Sequence, residues 1–144
     1  TIILMSCNNQ STKNEHTNTA IAPVNTCYLY ALNNDSVILH LKDSNSIISG
    51  KLDYLPYEKD GTIGTLYDFK FMGDTLFGMY KSYQEGIETV GEMAMLKKGN
   101  TIILTNDNVG GENYKFDSLY TNGKFVNRSK ITFTGDTLQL VNCK

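Results

Sequence analysis

The feature that most constrains the fold is a short turn motif that recurs three times between apolar segments. The copies are Gly73-Asp74-Thr75-Leu76, Gly99-Asn100-Thr101-Ile102 and Gly135-Asp136-Thr137-Leu138. Glycine followed by Asp or Asn supplies the left-handed or Asx-turn backbone of a tight hairpin, and the β-branched residue after it favours extended chain. Three such corners predict antiparallel strands that follow one another without crossover helices.

The segments between these turns have the period of half-buried strands. Val37, Leu39 and Leu41 share one face of a strand whose other face carries Ile38 and His40. No segment sustains the 3.6-residue apolar period of an amphipathic helix. We predict strands at 27–32, 37–41, 47–54, 62–72, 75–83, 87–97, 101–105, 129–133 and 137–141. The Gly- and Asn-rich segment 106–122 is compatible with one helical turn or one irregular strand.

The number of strands predicts an all-β fold in which a single antiparallel meander closes, or nearly closes, into a small lipocalin-like barrel. About eight or nine strands are enough for closure, and closure removes the exposed edges that a flat sheet would leave. A two-sheet β-sandwich is the alternative. The chain of 144 residues, 40% of them apolar, is sufficient for one compact domain.

The first seven residues form an apolar run that ends in a small residue and a cysteine. Leu4, Ser6 and Cys7 fit the lipobox that a lipoprotein signal peptidase cleaves, whereas Met5 departs from it. The segment looks like the end of a bacterial lipoprotein signal peptide, which implies a lipid on Cys7 and a chain that starts within the signal peptide. The alternative is an apolar terminus with an incidental cysteine.

Asn, Ser, Thr, Lys, Glu and Ala dominate residues 8–25, which bury too little apolar surface to offset the entropy of ordering them. The predicted layout is therefore a signal-peptide remnant at 1–7, a disordered tether at 8–25 and the β-barrel domain at 26–144. Asn8 after the cysteine resembles outer-membrane sorting. We expect an envelope protein that is periplasmic or surface-exposed and bound to the membrane through its lipid anchor.

With Cys7 assigned to the lipid, Cys27 and Cys143 remain, near the first and last strands. In a closed meander these two strands are neighbours, and cysteines outside the cytoplasm usually pair. We predict a Cys27–Cys143 disulfide, with two separate thiols as the alternative. No C-x2-C spacing indicates a zinc site or a thioredoxin-type redox motif.

Several segments of the predicted barrel match a pattern found in other chains. They are Cys27-Tyr28, Glu58-Lys59-Asp60-Gly61-Thr62, Gly73-Asp74-Thr75-Leu76, Tyr80, Glu85-Gly86 and the cysteine near the C-terminus. On these segments the chain resembles a group of small bacterial lipoproteins that form an uncharacterised all-β family. The resemblance implies a lipid-anchored β-domain and transfers no catalytic residues.

Composition narrows the function classes. The net charge is −2 and there is no basic stripe, so nucleic-acid binding is not expected. His16 and His40 are the only histidines, and His16 lies in the predicted tether, so neither a histidine general base nor a multi-histidine metal site is indicated. We expect no cofactor and no metal.

Tyrosine, present nine times, is the remaining clue to function. Tyrosines can line a semi-polar cavity, form a binding face or girdle a barrel. The candidate ligand-binding residues are Tyr28, Tyr30, Tyr54, Tyr80, Tyr83, Glu85 and Glu92. If Met93 and Met95 face the core, Glu92 lies on the outer face of its strand.

These observations predict a monomeric, non-catalytic barrel that binds a small apolar or glycan-like ligand. The alternative is a structural or protein-interaction module with a filled barrel, and the third possibility is a carboxylate-based hydrolase. A solvent-connected lumen favours ligand binding, and a filled lumen with an exposed apolar patch favours interaction. A buried carboxylate pair near Glu92 favours the hydrolase.

Overall fold

The computed structural model describes residues 22–105 and 120–144 of the chain. Its strands are β1 Val24–Leu32, β2 Asp35–Ser44, β3 Ile47–Leu55, β4 Thr62–Met72, β5 Thr75–Gln84, β6 Ile87–Lys98, β7 Thr101–Leu104, β8 Tyr120–Thr121, β9 Lys124–Phe125 and β10 Thr137–Val141. Eight of them form one closed barrel in the order β1-β10-β7-β6-β5-β4-β3-β2, and β8 and β9 form a separate hairpin. Every pairing in the barrel is antiparallel, and closure of the single sheet confirms the predicted barrel over the sandwich.

Alternation along the strands fills the barrel. In β2 the buried side chains are Val37, Leu39 and Leu41, as the period-two pattern predicts. Leu39 lies opposite Leu52 of β3, and neither has any solvent-accessible surface. A side chain without accessible surface borders no internal void that could hold water. The core is Tyr28, Val37, Leu39, Leu41, Ile48, Leu52, Leu66, Phe69, Leu76, Tyr80, Met93, Met95, Ile102, Leu104 and Leu138.

The turns between strands depend on left-handed backbone. Gly73 and Gly99 have φ values of 62° and 55° and begin the β4–β5 and β6–β7 turns, which confirms the hairpins predicted at two copies of the recurring motif. The third copy, Gly135-Asp136-Thr137-Leu138, does not form a hairpin turn between two consecutive strands. The amides of Gly135 and Leu104 donate to the carbonyls of Leu104 and Asp136 respectively, both over 3.0 Å, and this contact leads β10 into pairing with β7.

One predicted strand was wrong, and another begins earlier than predicted. Residues 129–133, predicted as a strand, contain a 3-10 helix at Arg128–Lys130, because the Asn127 side chain caps it by accepting from the Ser129 amide over 3.0 Å. The first strand begins at Val24, three residues before the predicted start at residue 27, because β2 is long enough to pair with Val24. Of the segment 106–122, residues 106–119 lie outside the described part of the chain.

The predicted disulfide pair lies at the seam of the barrel. Cys27 of β1 is opposite Val141 of β10, two residues before Cys143. The two sulfur atoms are 2.10 Å apart and the Cα atoms 5.2 Å apart, which is the geometry of a bonded pair. In 22–105 and 120–144, no helix is both long and apolar enough to span a membrane.

Candidate functional site

The two ends of the barrel differ in charge. One end carries the β2–β3, β4–β5 and β6–β7 turns, the start of β1 and the end of β10; we call it the lysine end. Within three residues of these strand ends it has two aspartates and five lysines, namely Asp43, Asp74, Lys42, Lys70, Lys97, Lys98 and Lys144.

The opposite end carries the β1–β2, β3–β4 and β5–β6 connections, and we call it the carboxylate end. By the same criterion it has seven carboxylates and two lysines among the described residues, namely Asp35, Asp53, Glu58, Asp60, Glu85, Glu88, Asp136, Lys59 and Lys81. The described residues at the two ends of the barrel therefore carry opposite net charge.

Tyr28 and Tyr80 are core residues. Tyr80 has no solvent-accessible surface, and its hydroxyl donates to the backbone carbonyl oxygen of Leu52 over 3.2 Å. Burial raises the pKa of Tyr80 far above its usual value, and the negative charge of Asp53 adds to the effect. Burial also raises the pKa of Tyr28, partly offset by a hydrogen bond with Thr26. Both phenols fill the lumen.

Tyr30 and Tyr54 lie nearer the carboxylate end, partly buried against the same core. They belong to one inward-facing row, because Tyr30 is opposite Val37 and Val37 is opposite Tyr54. The next strand continues the row with Thr62, whose hydroxyl donates to the side-chain carbonyl of Gln84 over 3.1 Å. The row changes the interior from apolar to polar as it approaches the carboxylate end.

An open cleft of about 690 Å³ lies at the carboxylate end. It lies between the β3–β4 connection and the β5–β6 turn and is lined by Pro56, Glu58, Lys59, Asp60, Gln84 and Glu85. Tyr57 and Tyr83, each next in sequence to a lining residue, are both 55% exposed. Tyr83 is paired across the sheet with Ile63, which is also exposed. The cleft combines carboxylates, an amide and flanking aromatic rings.

Glu85 is unusual for its backbone position. In the part of the chain that the structure describes, four turns have two consecutive residues with positive φ: Asn33-Asn34, Asn45-Ser46, Glu85-Gly86 and Asn122-Gly123. Asparagine tolerates this left-handed conformation, and three of the four turns begin with it. Glu85 has φ 49° and Glu58, also in the cleft, has φ 55°. Two glutamates thus adopt left-handed backbone at one cleft, and Asp68, at the register shift of β4, does so elsewhere.

Glu92 is separate from the cleft. Met93 and Met95 face the core, and Glu92 lies on the outer face of β6, as the sequence predicts for that case. Its carboxylate accepts from the Arg128 guanidinium and from the Phe125 amide, both over 2.9 Å. Glu92 therefore fixes the segment that follows β8 to the outside of the barrel.

Arg128 continues this attachment. Its guanidinium carbon lies 4.7 Å from the ring centroid of Phe77 on β5, and a second nitrogen contacts the Met72 sulfur at 3.6 Å. Ala94, although on the outer face of β6 beside Phe77, has no accessible surface.

One cluster has metal-ligand chemistry. The Cys27 and Cys143 sulfurs and a His40 ring nitrogen lie within 4.8 Å of one another, the only such group of three in the part of the chain that the structure describes. Because the sulfurs are bonded to each other, neither is a thiolate, and a metal needs the thiolate form.

The structure thus divides the seven candidate residues. Tyr83 and Glu85 are at the cleft, Tyr30 and Tyr54 lie beneath that end, Tyr28 and Tyr80 are core, and Glu92 is an anchor. Sequence reasoning missed Gln84 and Arg128. Asp60 and its neighbours entered only as a segment of the family resemblance, since nothing in the sequence brings residues 56–60 to residues 84 and 85. Cys7 lies outside the described residues.

Comparison with known proteins returned no matching family model, no matching curated protein and no matching solved structure.

Proposed function

We propose that the protein is a lipid-anchored protein of the bacterial cell envelope whose barrel is a non-catalytic binding module for a glycan-like ligand. The observation that carries the proposal is the cleft at the carboxylate end, open to solvent above a barrel that its own side chains fill. The cellular location rests on the lipobox at Leu4–Cys7. Among the ligands expected from the sequence, the filled lumen favours a polar one bound outside over an apolar one bound within.

The chemistry of the cleft suits a polyol. Carboxylates of Glu58, Asp60 and Glu85 accept hydrogen bonds from hydroxyl groups, and Gln84 both donates and accepts. An exposed ring such as that of Tyr83 covers an apolar sugar face while its hydroxyl stays in water. A volume of about 690 Å³ falls within the range of about 300–1,000 Å³ that is typical of small-molecule sites.

The excess of carboxylates predicts selectivity by charge. A neutral oligosaccharide or one with amino groups meets no repulsion at the cleft, whereas a uronic acid oligomer brings like charge to it. We would titrate the 15N-labelled protein with tetramers of N-acetylglucosamine, glucosamine and galacturonate, and follow backbone amides by NMR. Shifts at residues 57–60 and 84–86 with the first two probes, and none with the third, are expected.

Matched variants locate the site. Glu85→Gln and Tyr83→Ala should each weaken binding about tenfold, the loss of roughly one hydrogen bond or one aromatic contact. Asp74→Asn, a similar change at the lysine end, should have no effect. If all three probes leave the cleft amides unmoved, or if Asp74→Asn weakens binding as much as Glu85→Gln does, the glycan proposal is wrong.

Glu85→Asn separates function from stability. Asparagine relieves the left-handed strain at this turn, so the free energy of unfolding should rise by about 0.5–1 kcal/mol. Binding should weaken at the same time, because the carboxylate is lost. Urea denaturation and the NMR titration measure the two effects, and a variant that gains stability without losing affinity would remove Glu85 from the site.

A protein partner is the second candidate, and the exposed apolar residues beside the cleft favour it. Ile63, Tyr83 and Ile87 are 60%, 55% and 67% exposed. Aromatic and aliphatic side chains of this kind form the centre of protein interfaces. Ile63→Ser would abolish binding to such a partner and leave the glycan titration unchanged, which distinguishes the two candidates.

A further inference from the structure

The lysine end has an apolar rim that the fold itself does not cover. Six large apolar side chains there are each at least 39% exposed: Val24, Ile47, Phe71, Met72, Leu140 and Val141. They belong to β10, β1, β3 and β4, which with β2 form one continuous arc of the barrel. The rim is therefore one surface and not scattered residues.

Lysines surround and interrupt this arc. Lys42 lies on β2, the strand of the arc that lacks an exposed apolar residue at this end, Lys70 lies on β4, and Lys144 follows β10. Lys97 and Lys98 end β6, and the Lys97 ammonium donates to the Gly99 carbonyl over 2.8 Å.

The aspartates at this end offset little of that charge. Among residues 22–105 and 120–144, Asp43 and Asp74 are the only carboxylates within three residues of its strand ends. One oxygen of Asp43 already accepts from the Ser46 amide over 3.0 Å in the β2–β3 turn. The lysine end therefore has an excess of positive charge around an apolar rim.

We propose that the lysine end contacts an anionic phospholipid surface, with the apolar rim among the headgroups and the lysines beside the phosphates. Apolar side chains combined with lysines are the composition that binds such surfaces, since burial and charge attraction act together. The inference rests on the proposed envelope location. Cys7 lies seventeen positions before Val24, where the chain enters this end of the barrel.

This orientation explains the two poles of the barrel. With the lysine end at the membrane, the carboxylate end points away from the anionic lipids that would repel it. The cleft of the proposed binding site then opens toward the solution on the far side of the domain. Membrane contact and ligand binding use opposite ends and do not compete.

The test uses the full chain with Cys7→Ser, so that no lipid anchor contributes. It is sedimented with vesicles of phosphatidylcholine alone and of phosphatidylcholine mixed equally with phosphatidylglycerol. Each lysine near an anionic surface strengthens binding about fivefold, so an excess of three charges predicts binding on the order of a hundredfold tighter to the anionic vesicles. Binding should weaken as salt is raised, because the charges are screened.

Charge-reversal variants locate the contact. Lys70→Glu with Lys98→Glu should abolish the preference for anionic vesicles. Lys51→Glu with Lys59→Glu, the same charge change on the barrel side and the carboxylate end, should retain most of it. Ile47→Ser should weaken binding by several-fold at every salt concentration, since it removes apolar rim surface.

Equal binding to both vesicle types, no binding to either, or equal loss in the two double variants would overturn the proposal. None of these outcomes depends on whether Cys7 carries a lipid. Mass spectrometry of the protein extracted from envelopes tests the lipid on its own, and the NMR titration tests the cleft, so failure of either is distinguishable from failure of the membrane contact.

Discussion

Gly64 and Tyr80 offer a sharp test of the filled barrel. Gly64 is buried in β4, opposite Leu52 of β3 and Ser82 of β5. A Cβ atom added there would overlap the ring of Tyr80. The ring cannot easily move away, because it has no accessible surface and its hydroxyl is bonded to the Leu52 carbonyl. Gly64→Ala therefore forces an extra methyl group into a closed core.

Overpacking of this kind costs about 1–3 kcal/mol, and we expect about 3 kcal/mol because neither backbone nor ring has space to relax. With a urea m-value of about 1.5 kcal/mol/M, the midpoint should fall by about 2 M. The assay is urea denaturation followed by far-UV circular dichroism, with the disulfide intact. The m-value should not change.

A double-mutant cycle identifies the cause. In a Tyr80→Leu background the ring is absent, so Gly64→Ala should cost less than about 1 kcal/mol, a coupling energy of about 2 kcal/mol. If Gly64→Ala costs the same in both backgrounds, the ring does not occupy the space that the glycine leaves. If Gly64→Ala is neutral in the wild-type background, the barrel is not filled at this level.

Three further predictions concern the core, the anchor and the seam. Tyr80 binds its proton more tightly in the folded than in the unfolded chain, so its contribution to stability is complete below about pH 10 and decreases above it by up to about 1.4 kcal/mol per pH unit. Tyr80→Phe should remove this decrease from the free energy of unfolding measured by urea denaturation between pH 10 and 12. An unchanged dependence on pH would contradict the burial of Tyr80. Glu92→Gln removes the charge that holds Arg128 and should speed amide hydrogen exchange at Phe125 about fivefold to tenfold, as measured by NMR. Unchanged exchange would mean that another contact holds Phe125 and Arg128 against the barrel. Replacing both Cys27 and Cys143 by alanine opens a loop of 116 residues. The free energy of unfolding, measured by urea denaturation, should fall by up to about 5 kcal/mol in the chain-entropy model. A loss below about 1 kcal/mol would show that strand pairing alone closes the barrel.

Much of the fold followed from local pattern. The alternation of Val37, Leu39 and Leu41 and the recurring Gly-Asp-Thr motif were enough to predict an antiparallel meander, and its strand count was enough to predict closure. The pairing of Cys27 with Cys143 then followed from closure itself. The wrong strand was also a local matter. Asn127 caps a 3-10 helix where β-branched and aromatic residues suggested a strand. A cap depends on one side chain, whereas a periodic pattern depends on many, so the pattern did not reveal it.

The candidate site was predicted only in part, because composition does not say which tyrosines face inward. Tyr80 and Tyr83 are three residues apart in β5, yet one is core and the other is exposed beside the cleft. Strand alternation accounts for that difference once one inward-facing residue of β5 is known. The residues near in sequence do not show which residue of β5 faces inward. Glu92 was a candidate for chemistry until its partner Arg128, 36 positions later, was located.

The sequence by itself determined the strands, most of their turns, the meander and its closure, because these depend on the period of side chains and on the backbone preferences of neighbouring residues. Only the tertiary structure decided what lies at each end of the barrel. An antiparallel meander sends alternate connections to opposite ends, so lysines and carboxylates that are mixed along the chain become separated in space. The cleft, the anchor and the charged poles all arise from contacts between residues that are distant in sequence.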